Sequence, residues 1–192
     1  MNATTEVAMS LLTRPLTYDD LSQMPDDRNR YEIIGGELIV SPSPNRPHQK
    51  VAYRLAQLIG LYVDARQLGE LYFAPVDVRL SPHNVVEPDL LFIRQDRLGI
   101  YGSTGPVEGP PDLVVEIISP SSRVVDRTRK AALYADSGVP EYWVVDPGER
   151  QFQLLILTQG QYEALETDDG RFHSTAIPGL IVEPVSLFAG LE

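Results

Sequence analysis

The chain of 192 residues contains no cysteine, so neither a disulfide framework nor a thiolate metal site contributes to its fold or chemistry. No apolar run approaches the roughly 20 residues of a membrane-spanning helix, and the N-terminus lacks the basic-then-apolar order of a secretory leader. Basic residues are scarce as well: 16 Lys and Arg stand against 27 Asp and Glu, a net charge of -11. Binding to a polyanion draws on Lys and Arg that displace counterions. A chain this acidic is therefore a poor general nucleic-acid coat and must carry any such binding on a local basic face. Repeats and low-complexity tracts are also missing, which predicts one domain with an ordinary core over residues 16–192. Residues 1–15, small, polar and without period, predict a flexible N-terminal arm. These absences together predict a cytoplasmic protein with no membrane partner.

What is present is organised around the run PDLVVEIISP, from Pro111 to Pro120. On a pleated strand Leu113, Val115 and Ile117 share one face, and Val114, Glu116 and Ile118 the other. Apolar residues on both faces predict a strand covered on both sides. Glu116 then loses its hydration and requires a cation, a metal or a donor in compensation. The run Val85 to Ile93 poses the same problem with Asp89, which follows Pro88. Two carboxylates entering one interior repel, and a divalent cation between them relieves the repulsion.

The next segment adds an amine. Ser119-Pro120 stops the strand, Ser121 or Ser122 can cap a helix, and Gly138 with Pro140 supplies its exit. Within it Lys130 shares one face with Arg123, Asp126, Arg127 and Tyr134. Turned toward the strand's end, that face brings a cationic amine to two acids, an arrangement suited to metal-assisted hydrolysis.

Around this centre the pattern predicts a hairpin over Tyr31 to Val40, turning at Gly35-Gly36, with Glu37 opening its second strand. A rigid loop, Ser41 to Pro47, delivers His48 to a helix reaching about Ala65, with an apolar stripe at Val51, Leu55, Leu58, Ile59 and Tyr62. Further strands are expected over Glu70 to Leu80, Val85 to Ile93 and Glu141 to Asp146. A second hairpin turns at Gln159-Gly160, and a short helix closes the chain near Pro184.

The order Pro88-Asp89, Glu116 in an apolar strand, then a lysine resembles the PD-(D/E)xK nuclease superfamily. Within it, Asp112 to Ser122 followed by Lys130, Tyr134 and Gly138 to Asp146 is similar to the bacterial Uma-two family of restriction endonucleases. The hairpin of Tyr31 to Leu38 and the Ser41-Pro-Ser-Pro loop with His48 support the likeness. The resemblance implies an α/β restriction-endonuclease-like core, a mixed β-sheet flanked by α-helices, with a C-terminal β-hairpin addition. It implies Mg²⁺ or Mn²⁺ held by Asp89, Glu116 and the backbone carbonyl of Ile117, with Lys130 assisting the attacking water and Glu37 in support. His48, Arg123 and Arg127 become candidate substrate contacts, DNA the substrate and a homodimer the working unit. One departure stands out, because the superfamily's lysine position, two residues after the acid, holds Ile118; Lys130 would supply the amine instead.

Blander readings accompany each of these. Asp89 and Glu116 can be structural carboxylates satisfied by backbone donors or an arginine, and Lys130 can form an exposed pair with Asp126. Glu32, Tyr134 and Glu141 read as packing or helix-end residues, and Trp143 as core. The whole chain can be a non-catalytic binding module on a nuclease fold, or a hydrolase of small phosphoesters, which suits the acidic surface.

Overall fold

The computed structural model describes residues 14–119, 125–167 and 169–191, the side chains of 125–127 excepted. The chain enters through one helical turn, α1 (Tyr18–Leu21), and a hairpin of β1 (Arg30–Ile34) and β2 (Glu37–Ser41). Gly35 and Gly36 form the turn with φ of 62° and 79°, the left-handed pair that a tight hairpin needs. A Cβ on Gly36 would also stand 2.6 Å from that of Pro15. The end of the expected arm is thus fixed: Pro15 packs on the hairpin, and Arg14 forks onto Asp20 at 2.6 and 2.9 Å. The remainder of that arm lies outside the described residues.

Helix α2 (Arg46–Arg66) starts where Asn45 accepts the His48 N–H at 3.0 Å and a proline occupies its first turn, both ordinary start signals. Val51, Leu55, Ile59 and Val63 recur every fourth residue and are fully buried. Each such side chain contributes about 2 kcal/mol of burial. The helix stops at Gln67, whose φ of 52° is left-handed.

Two expected strands each divide. The span Glu70 to Leu80 becomes β3 (Gly69–Phe73) and β4 (Val78–Ser81), and Val85 to Ile93 becomes β5 (Asn84–Val86) and β6 (Leu90–Arg94). Pro75 and Pro88 lie at the breaks, where a residue without an N–H interrupts a ladder. β3 pairs with β6 and β4 with β5, but the two pairs belong to different sheets. Asp89 therefore sits where the chain crosses from one sheet to the other. A short β7 (Val107–Glu108) pairs parallel to β4.

The apolar run forms β8 (Leu113–Ile117), every residue of it buried. A wide helical turn, Val125–Lys130, runs into α3 (Ala131–Asp136) and then β9 (Glu141–Asp146). The hairpin β10 (Gln151–Thr158) and β11 (Gln161–Ala164) follows, then a two-residue pair, β12 (Phe172–His173) with β13 (Ile181–Val182), and α4 (Pro184–Leu187). One sheet runs β11-β10-β9-β8-β6-β3 and the other β2-β1-β5-β4-β7. β8 is parallel to β9 and antiparallel to β6, so the larger sheet is mixed and its central strand carries the acid. Leu113, Val115 and Ile117 pack in the core that contains the α2 stripe, whereas Val114 and Ile118 join Tyr134, Val139 and Val78 in the other. Both faces of β8 are covered, as its composition predicts.

Candidate active site

Asp89 and Glu116 meet at one small cavity of about 30 Å³, which Arg30, Glu32, His48, Ile117 and Lys130 also line. Each carboxylate arrives with its own partners. Asp89 Oδ1 accepts from Arg30 Nη2 at 2.8 Å, and Oδ2 accepts from the Ile117 N–H at 2.7 Å and lies 3.0 Å from His48 Nε2. Strand β8 thus fixes Asp89 through its backbone, α2 through its first turn and β1 through an arginine. Burial alone would raise the pKa of Asp89. This largest influence is outweighed by the His48 hydrogen bond, the charges of Arg30 and His48, and the Ile117 N–H, which hold it down to about 2.

Glu116 Oε1 accepts from Lys130 Nζ at 2.9 Å and from the Tyr134 hydroxyl at 2.7 Å. Burial, then the charges of Glu116 and Glu32, push the Tyr134 hydroxyl well above its ordinary range, so it remains a donor. Ile118, where the superfamily pattern has lysine, packs in the second core with Tyr134, and the helical segment that carries Tyr134 supplies the amine instead. Lys130 is 1% exposed and also stands 2.8 Å from Glu32 Oε1, which in turn accepts the Glu87 N–H at 2.8 Å. Arg30 Nε, 2.9 Å from Glu87, closes the ring of charges. For Arg30, desolvation is the largest influence and works against its charge, but Asp89, Glu116 and Glu32 outweigh it and raise the pKa, so the guanidinium stays cationic.

The sequence expectations sort clearly against this geometry. Asp89, Glu116, Lys130, Ile117 and His48 come together. Ile117 makes its contact through its N–H. Glu37 does not join them: it opens β2 beside the turn, its side chain 70% exposed and paired with Arg129 at 2.8 Å. Glu32, read as a packing residue, takes the place beside the lysine. Its signal was an acid in mid-strand flanked by Tyr31, Ile33 and Ile34. Arg123 and the side chain of Arg127 lie outside the described residues. Glu141 is structural, accepting from Trp143, Ser174, Thr175 and Ala176.

Donor chemistry at the cavity suits a hard divalent cation, since its carboxylates are oxygen ligands and Mg²⁺ commonly takes one or two of them, completing its shell with water and substrate oxygens. Among the described residues no three His, Cys, Asp or Glu side chains are gathered as a ready ligand set. Glu32, Asp89 and Glu116 are each turned to a protein cation. Larger clefts of about 520 and 560 Å³ lie elsewhere, near Tyr18 and Arg79 and near Tyr53 and Phe73. Neither shows this convergence of buried charges.

The fold and the site define an α/β protein of the restriction-endonuclease-like class. A crystal structure from Anabaena variabilis ATCC 29413, described as "a putative nuclease belonging to DUF820", superposes with a TM-score of 0.75 at 20% identity, over 91% of this chain and 98% of that one. The chain belongs to the Uma2 family, described as "Putative restriction endonuclease", whose pattern matches residues 18–185. No curated protein matches it.

Proposed function

We propose that the protein is a metal-dependent endonuclease that hydrolyses DNA phosphodiester bonds. The observation that carries this reading is the buried contact of Lys130 with Glu116 beside Asp89, at one cavity. Asp89 and Glu116 would hold Mg²⁺ or Mn²⁺. When bound, such an ion polarises the phosphate and makes a water molecule more acidic. Lys130 orients that water and stabilises charge on the phosphate. His48 fixes Asp89, and Arg30 presents positive charge beside it. A cytoplasmic setting is in keeping with this reading, and a homodimer goes with a duplex substrate, because cutting both strands takes two sites.

A second reading, a binding module retaining the fold, draws on the pairing of each carboxylate with a protein cation and on Ile118. Cleavage of supercoiled plasmid in Mg²⁺ or Mn²⁺ separates the two. Asp89→Asn and Lys130→Met are expected to lower the rate about a thousandfold, and Glu37→Ala to leave it unchanged. Metal-dependent cleavage that survives both site variants would overturn the mechanism, and its absence in the wild type favours the module.

A further inference from the structure

Lys130 is shared between two acids. Its ammonium lies 2.8 Å from Glu32 and 2.9 Å from Glu116, with all three side chains no more than 3% exposed. On the nuclease reading above, Glu116 is also a carboxylate that binds the ion, so lysine and metal compete for one group. Two cations at one carboxylate repel, and in a buried site little solvent screens them. Glu32 differs in its attachments: it stands on β1, in the smaller sheet, and its Oε1 is fixed by the Glu87 N–H at 2.8 Å. It lines the same cavity as Glu116 and offers the ammonium a second seat.

We propose that Glu32 is a positioning residue that retains Lys130 when Glu116 is given over to the metal. In this structure the ammonium bridges the two carboxylates. On metal binding it leans on Glu32, and its rotatable head of three donors turns to the water and the phosphate. In Glu32→Gln the lysine's charge rests more heavily on Glu116 and resists the exchange. Glu32 thereby sets both the metal affinity of the site and the placing of its amine, acting through Lys130 rather than on the substrate.

The test is calorimetric titration of Mn²⁺ into the full chain, alongside plasmid cleavage and thermal melts to verify folding. Lys130→Met is expected to bind the ion about tenfold more tightly than the wild type while losing cleavage, since a competing cation has gone. Glu32→Gln keeps an acceptor for the Glu87 N–H and is expected to bind about tenfold more weakly. Its kcat falls while KM for DNA is unchanged, and Glu32→Asp restores part of both affinity and kcat. In the Lys130→Met background the effect of Glu32→Gln on affinity should shrink to about twofold, the signature of action through the lysine. If Lys130→Met does not fold, the loss in Glu32→Gln and its recovery in Glu32→Asp decide the matter. An unchanged affinity in Glu32→Gln, or a loss undiminished in the double variant, overturns the inference while leaving the nuclease reading intact. Absence of metal binding and of cleavage in every protein overturns both.

Discussion

Asp89 shows how a carboxylate tolerates an apolar interior. Its oxygens take up an arginine, a histidine and a backbone N–H, so that desolvation is more than offset. The folded pKa of about 2 lies below the ordinary 3.8. This contribution to stability is therefore full above about pH 4 and is lost as pH falls through 2. Asp89→Asn should cost about 3–5 kcal/mol at neutral pH, because it removes one partner of a buried pair. It should also flatten the acid limb: urea midpoints measured from pH 6 to pH 2 should fall less in the variant than in the wild type. Equal slopes would show that Asp89 is not held as its contacts imply.

Glu32 and Glu37 teach a complementary lesson. Antiparallel pairing sets Ile34 opposite Glu37 and Arg30 opposite Ser41, so Arg30, Glu32, Glu37 and Ser41 all share one face of the hairpin. Alternation identifies that face from sequence. It does not say which end of the hairpin meets the cavity, and Arg30 and Ser41 at the open end line it whereas Glu37 at the turn does not.

At the scale of elements, α2 and β8 were the most legible, for different reasons. α2 has a start cap and a regular apolar stripe, and β8 has apolar residues on both faces, patterns that few other structures satisfy. The divided strands were less so, since β5 and β6 read in sequence as one largely apolar run interrupted only by Glu87-Pro88-Asp89. The consequence for stability is concentrated in α2, whose stripe packs on the β8 face opposite Glu116. Leu55→Ala should cost about 2–5 kcal/mol through lost burial and a cavity, read as a lower urea midpoint with an unchanged slope. An effect below about 1 kcal/mol would mean the helix is not docked as described.

At the scale of the whole molecule, a net charge of -11 surrounds a site proposed to meet a polyanion. Retention of duplex DNA near physiological salt should then require a divalent ion at the site as well as local cations. In gel-shift assays with Ca²⁺ in place of Mg²⁺, the wild type should retain DNA and Asp89→Asn should not; without divalent ion neither should. Metal-independent retention of comparable strength would point instead to a basic binding face.

The sequence by itself determined that an acid would lie in a doubly covered strand, that a second acid would enter the same interior after a proline, and that a lysine would follow on a helical segment. Those are local facts of period, solvation and chain punctuation. Only the tertiary structure decided that Lys130 would reach Glu116 past Ile118, that Arg30 and His48 would close on Asp89, and that Glu32 rather than Glu37 would face the lysine. Arg30 and Glu32 reach the site because the sheet of β1 is laid against that of β8, while His48 and Lys130 reach it from α2 and from the segment before α3. That packing is fixed by long-range burial of both faces of β8, to which no short stretch of sequence carries the key.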